Sequence, residues 1–272
     1  MERSEMRRQV EKITSLPTLP GSVTRITTML DNPQTTAVEV GKEISKDQVL
    51  SAKVLKLVNS GFYGFSQPIS TIPHAMVLLG FNVVKTLVLS TSVLDMMAQS
   101  MAGLWQHSLA CARTCSIVAR HLEMEDPEEI SVTGLLHDLG KVVLEEHIKE
   151  VFDQILSLVE EENMLFYRAE EEVMEVTHAN VGGWLLDKWQ LPSQLVEPIM
   201  YHHNFHPSRQ HADRTAVIHL ADILVRAEGF GSGCDSRIPE LSMEAMDTLK
   251  LKVEDLQEIM DQMVEEMRDV AR

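Results

Sequence analysis

Cysteines, aromatics and long apolar runs are all scarce in this 272-residue sequence, and each shortage excludes something. Its three cysteines, Cys111, Cys115 and Cys234, are odd in number and lack the dense spacing of a secreted disulfide scaffold, so a reducing, cytoplasmic setting is expected. No stretch approaches the ~20 apolar residues of a membrane span, and charges scattered through residues 1–12 do not read as a signal peptide. With three Trp, three Tyr and seven Phe, the interior must be built from Leu, Val, Ile, Met and Ala, a palette that leans towards helices. Basic residues are also outnumbered. Against 41 Asp and Glu stand 24 Lys and Arg, a net charge of -17 with His neutral, which opposes binding to nucleic-acid phosphate or to anionic lipid. Protein partners are expected, and neither nucleic acid nor membrane.

What is present is helical periodicity. The stretch Leu16-Pro17-Thr18-Leu19-Pro20-Gly21 cannot be helical throughout, and a helical pattern follows from Ser22 to Leu30, ended by Asp31-Asn32-Pro33. Apolar residues recur at three and four spacing over 37–44 and 49–58, with Asp47 placed to cap the second helix. Thr71 and Pro73 open a further helix that Gly80 closes. Later helices are predicted near 104–122, 127–140, 147–161, 166–173, 177–189, 193–203, 212–228 and 252–270, with no strands. The fold class is all-α, read as two helical bundles, residues 1–97 packed on residues 98–272. Glu160, Glu161 and Glu162, and Glu170, Glu171 and Glu172, read as solvated helix faces. The Gly229 to Gly233 run lacks a strand-turn-helix setting and reads as a flexible connector.

The chemistry is concentrated in His107, His137-Asp138, His178, His202-His203 and Asp222, seven candidate ligands in five stretches on different predicted helices. Imidazole and carboxylate are the ligands of first-row metals such as Mn, Fe, Ni and Zn. His137 and Asp138 follow an apolar run in Gly134-Leu135-Leu136 and precede Leu139-Gly140-Lys141, and burying such a pair is costly unless a metal or counter-charge compensates it. His107, Cys111 and Cys115 stand at four-residue steps on one helix stripe, which permits a different, zinc-like site. His219 reads as packing near Asp222, with a role in orienting it as the alternative.

His107, then His137-Asp138 in an HD-x-G-K core, then Asp222 resemble the H…HD…D signature of HD phosphohydrolases. Leu16 to Pro20, Leu55 to Ser60 with Tyr63-Gly64, and Ala75 to Gly80 resemble the HDOD branch of that superfamily, and the likeness spans roughly residues 10–230. The resemblance implies a helical bundle packed on an HD-like helical bundle. HDOD proteins are regarded as signalling modules in bacteria, and many have lost the metal ligands that this sequence retains. His178 and His202-His203 fall where the related HD-GYP enzymes hold an additional metal.

The resemblance thus implies two divalent transition-metal ions, iron or manganese ahead of zinc or nickel. Asp138 would bridge them, with His107, His137 and Asp222 on one ion and His178, His202 and His203 on the other. Asp138 and Lys141 would be the catalytic pair, Lys141 clamping a substrate phosphate. Two departures weigh against turnover: Gly103 replaces an acidic residue one turn before His107, and no Gly-Tyr-Pro follows His203. A regulatory protein with a retained dinuclear site is therefore expected ahead of an active phosphohydrolase acting on a nucleotide or cyclic dinucleotide.

Overall fold

The computed structural model describes residues 3–12, 25–26, 29, 35–59, 69–80, 83–84, 87–88, 101–188, 191–206 and 209–270. Its helices are α1 (Arg3–Lys12), α2 (Ala37–Lys46), α3 (Gln48–Val58), α4 (Ile72–Leu79), α5 (Leu104–His121), α6 (Pro127–Leu136) and α7 (Leu139–His147). There follow α8 (Lys149–Glu162), α9 (Phe166–Met174), α10 (His178–Lys188), α11 (Ser193–Tyr201), α12 (Ala212–Ala227), α13 (Met243–Leu249) and α14 (Val253–Val270). The fold is all-α, with no strand among the described residues. The Leu16 to Gly21 stretch, most of the helix predicted over 22–30, the Tyr63-Gly64 pair and residues 94–100 of the predicted boundary lie outside the described residues.

Contacts divide the chain into two compact units, residues 14–96 and residues 1–13 together with 97–272. In the smaller unit, α2 packs on α3 and α4. Local signals set its helix ends. Thr36 and Glu39 form a capping box at the start of α2, the Glu39 amide donating to the Thr36 hydroxyl at 3.3 Å and the Thr36 amide to the Glu39 carboxylate at 2.8 Å. Asp47 accepts from the Leu50 amide at 3.0 Å, capping α3 as its sequence position predicts. Thr71 accepts from the His74 amide at 3.3 Å, and Gly80 at φ +83° ends α4. The helices bury Val40, Ile44, Leu50, Val54, Val58, Ile72, Ala75 and Leu79.

The larger unit is organised around α5, which packs on α6, α12 and α14, while α10 packs on α7, α11 and α1. Its core is aliphatic, as the scarcity of aromatics requires, with Ile117, Val118, Ile130, Val217, Leu220, Leu224 and Met263 in one cluster. Arg7 pairs with Glu11 at 2.9 Å on an exposed face of α1, as ordinary helix-surface charges do, and its guanidinium lies 5.9 Å from the Trp184 ring.

One predicted helix is in fact two. The pattern over 127–140 suggests an unbroken helix, but α6 ends at Leu136 and α7 starts at Leu139. At this break Nδ1 of His137 meets the Gly134 carbonyl at 2.7 Å, a side-chain bond competing with the helix ladder. The break leaves His137 and Asp138 at a corner between two helices. The helix α13, opened by Ser242 accepting from the Ala245 amide, lies where the sequence pattern predicts no helix; at 7 residues it is too short to carry a strong periodic signal.

Candidate metal centre

The seven predicted ligands come together. His107 lies on α5, His137 and Asp138 at the α6–α7 corner, His178 at the first residue of α10, His202 and His203 just past α11, and Asp222 on α12. All are buried except His203, which is half-buried. Nε2 of His107 is 3.1 Å from Oδ1 of Asp222 and 3.5 Å from Oδ2 of Asp138. Nε2 of His137 is 3.5 Å from Oδ2 of Asp138 and 3.9 Å from Oδ1 of Asp222. On the other side of Asp138, its Oδ1 is 3.1 Å from Nε2 of His178, which faces Nε2 of His203 at 3.1 Å.

The backbone fixes which nitrogen of several rings points inward. Nδ1 of His137 faces the Gly134 carbonyl at 2.7 Å, and Nδ1 of His202 faces the Ile199 carbonyl at 2.7 Å. A carbonyl oxygen only accepts, so each Nδ1 carries the proton and each Nε2 offers a lone pair. Nε2 of His137 and of His202, and Oδ1 of Asp138 and of Asp222, are buried without a well-formed hydrogen bond, the two oxygens facing Nε2 of His178 and of His107 at 3.1 Å. Buried polar atoms are rarely left so. Three donor sets fall within metal-holding distance: His107, Cys111, His137 and Asp222; His178, His202 and His203; and His137, Asp138 and His202. The donors are imidazoles, carboxylates and one thiol, a chemistry that fits a divalent first-row metal.

The electrostatics agree with that donor chemistry. Burial pushes His202 well below the usual histidine range, keeping it neutral. Burial likewise lowers His137, against the pull of Asp138. For Asp138 burial works to raise the carboxyl, but His137, Lys141 and His178 outweigh it and hold it well below the carboxylate range. Lys141 is itself fully buried, its Nζ donating to Oδ2 of Asp138 at 2.8 Å and to the Gly233 carbonyl at 3.0 Å.

Two features of the centre differ from the sequence expectation. Glu170, read with its neighbours as a solvated face, is wholly buried. Its Oε2 meets Nδ1 of His178 at 2.6 Å, and its Oε1 accepts from the His178 amide at 3.0 Å. Such a carboxylate orients an imidazole and raises its basicity. Only the helical register of α9 separates Glu170 from the exposed Glu171 and Glu172.

The Gly229 to Gly233 run is likewise no loose connector but a packed wall. The Ser232 amide donates to the Gly103 carbonyl at 3.1 Å, and a Cβ on Gly231 would overlap the His107 backbone. Asp235 then ties the segment to Arg226 at 2.6 Å and to the Phe166 amide at 2.9 Å. A close approach also joins the two halves of the centre: a Cβ on Gly140 would collide with the His178 carbonyl. His219 turns not to Asp222 but to the His202 carbonyl, at 2.8 Å from its Nδ1, and accepts from the Ser242 amide at 3.0 Å.

The HDOD domain family matches residues 16–205. The chain belongs to that family. Among solved structures, it is similar to an HDOD domain protein of unknown function from Geobacter sulfurreducens, with a TM-score of 0.74 and 26% identity over 98% of this chain and 96% of that one. It also shares its fold with a candidate phosphohydrolase from Shewanella amazonensis SB2B, with a TM-score of 0.69 and 23% identity over 94% and 93% of the two chains. In sequence it resembles an uncharacterized protein of Treponema pallidum (strain Nichols), 24% identical over 221 residues, 79% of this chain and 43% of that protein. The chain therefore spans less than half the length of the curated relatives it matches. No helix among the described residues is long and apolar enough to cross a membrane.

Proposed function

We propose that this HDOD protein is a regulatory module of bacterial signal transduction that retains a dinuclear, HD-type metal centre and acts through protein contacts. The observation that carries the metal reading is the set of buried donor atoms without a well-formed hydrogen bond on His137, Asp138, His202 and Asp222. In this reading His107, His137 and Asp222 hold one ion, His178, His202 and His203 the other, and Asp138 faces both. Divalent ions bound there would acidify a water and neutralise phosphoryl charge.

Regulation is favoured over turnover by the state of Lys141. Its ammonium is enclosed and already shared between Asp138 and the Gly233 carbonyl, so clamping a substrate phosphate would strip Asp138 of its counter-charge. Gly103 also occupies a left-handed position, φ +88°, directly before α5, where an acidic side chain would be strained.

The test is metal content by mass spectrometry on untagged protein, with His137→Ala and Asp138→Ala as controls. About two transition-metal ions per chain, lost in both variants, are expected; a metal-free protein from every preparation overturns the reading. The second reading, a phosphohydrolase acting on a nucleotide or cyclic dinucleotide, draws on the completeness of the ligand set. Phosphoester turnover that disappears in Asp138→Ala would put it first, and silence across a phosphoester panel with metal bound would remove it.

A further inference from the structure

Cys111 stands one helical turn after His107 on α5, and its Sγ lies 3.5 Å from Nε2 of His107. That sulfur, the two imidazoles of His107 and His137 and the Asp222 carboxylate all present ligand atoms within 4.8 Å of one another. All four side chains are buried, and Nε2 of His137 and Oδ1 of Asp222 make no well-formed hydrogen bond. For an ion with bonds of about 2.3 Å to sulfur and about 2.0–2.1 Å to nitrogen, a tetrahedral S···N edge is about 3.5 Å and an N···O edge about 3.3 Å. The corresponding separations here are 3.5 Å from sulfur to His107 and 3.1 Å from His107 to Asp222. Cys115, a further turn along, does not join the set. Its Sγ faces Gly134, 2.7 Å from where a Cβ on that glycine would stand.

We propose that Cys111 is a thiolate ligand of the ion held by His107, His137 and Asp222, and that this position takes zinc in preference to manganese. The proposal rests on the metal reading above and adds a ligand and a selectivity to it. On binding, the Cys111 thiol loses its proton to solvent and the sulfur lone pair forms the bond to the ion, a change of one proton per ion with no redox partner. A soft thiolate favours zinc over the oxygen-seeking manganese. Four protein ligands also close the coordination shell in the manner of structural rather than catalytic zinc. Oδ2 of Asp138, meanwhile, is engaged by Lys141 at 2.8 Å. The ion then ties α5, the α6–α7 corner and α12 together, and any water to be acidified is left to the second ion.

The experiment loads the full chain with cobalt(II), counts the metal by mass spectrometry and records the near-ultraviolet spectrum. An intense sulfur-to-cobalt charge-transfer band is expected in the native protein and in Cys115→Ser, and its loss in Cys111→Ser. In competition between zinc and manganese, Cys111→Ser should move the preference at least ~10-fold towards manganese. Zinc X-ray absorption of the native protein reads sulfur in the coordination shell without any variant, should Cys111→Ser fail to fold. Full cobalt loading with no charge-transfer band, or zinc without a sulfur neighbour, overturns the thiolate proposal and leaves the metal centre standing. Failure to load any metal overturns both.

Discussion

The two units of this chain bury different things. Every described residue buried in the unit of residues 14–96 is apolar, Ile26, Val40, Ile44, Val54 and Leu87 among them. In the unit containing 97–272 the interior also takes in His107, His137, Asp138, Lys141, Glu170, His178, His202 and Asp222. Enclosing a polar or charged group is unfavourable unless partners compensate it. Among its described residues the smaller unit has a wholly apolar helical core. The polar interior of the larger one is therefore no general habit of the chain. Its ionisable groups gather mostly where α5, α7, α9, α10, α11 and α12 meet around Asp138.

The sharpest way to break this contrast is Gly140→Ala. The added methyl meets the His178 carbonyl, a backbone atom that can move only if α7 and α10 separate. A loss of about 3 kcal/mol of stability or more is expected by chemical denaturation, as for a core forced to accept an extra group. Bound metal should fall with it, because Asp138 and His178 would part. A native-like stability with full metal content would show that the close approach of the two helices is not what assembles the centre.

Glu170→Gln probes the compensation rather than the packing. The amide keeps the shape and an accepting oxygen but removes the negative charge facing Nδ1 of His178. Metal affinity is expected to fall about 10-fold, measured by competition with a chromophoric chelator. The same change at Glu171, on the exposed side of α9, should do nothing.

That pair also marks the limit of what the sequence discloses. The seven ligands were legible because His and Asp are scarce in apolar helical runs, and the HD-x-G-K core tied His137-Asp138 to a recognisable pattern. The helices of the smaller unit were legible from caps, as at Asp47 and Thr71. Glu170 was not, since a run of three acids gives no hint of which one turns inward until α9 has docked. The Gly229 to Gly233 wall was hidden for a related reason: glycines at φ +73° and +72° read alike whether they permit motion or close approach. The α6–α7 break depends on one ring reaching back to the Gly134 carbonyl, a bond that apolar periodicity does not encode.

Removing metal should make the larger unit sensitive to acid. His137 and His202 are held below the usual histidine value of 6.5 by burial, so the unfolded chain takes up protons more readily than the folded one. Their contribution is present above pH 6.5 and is lost as the pH falls below it. His178, raised by Glu170 against its burial, works in the opposite sense and loses its contribution as the pH rises. His203 and His219 are lowered by burial as well, so four rings against one give a net loss of stability towards acid. Calorimetry of chelator-treated protein should show the melting temperature falling over that interval. A flat profile would mean that the buried rings are charged in the folded protein, and so are poor metal ligands.

The smallest expected effect is the cleanest separation of the two regions. Thr36→Ala removes the side-chain half of the capping box at the start of α2, the hydroxyl that accepts from the exposed Glu39 amide, and keeps the backbone amide that donates to the Glu39 carboxylate. Such a cap is worth about 1 kcal/mol. The loss should appear in the unfolding of the 14–96 unit, while metal stoichiometry and the response to chelator stay as they are. A metal binds the folded form of its own unit and stabilises it by mass action, so chelation should lower the stability only of the unit that holds the ligands. If Thr36→Ala altered metal affinity as well, the two units would be one thermodynamic body, and the aliphatic bundle would be part of the site's support rather than a separate core.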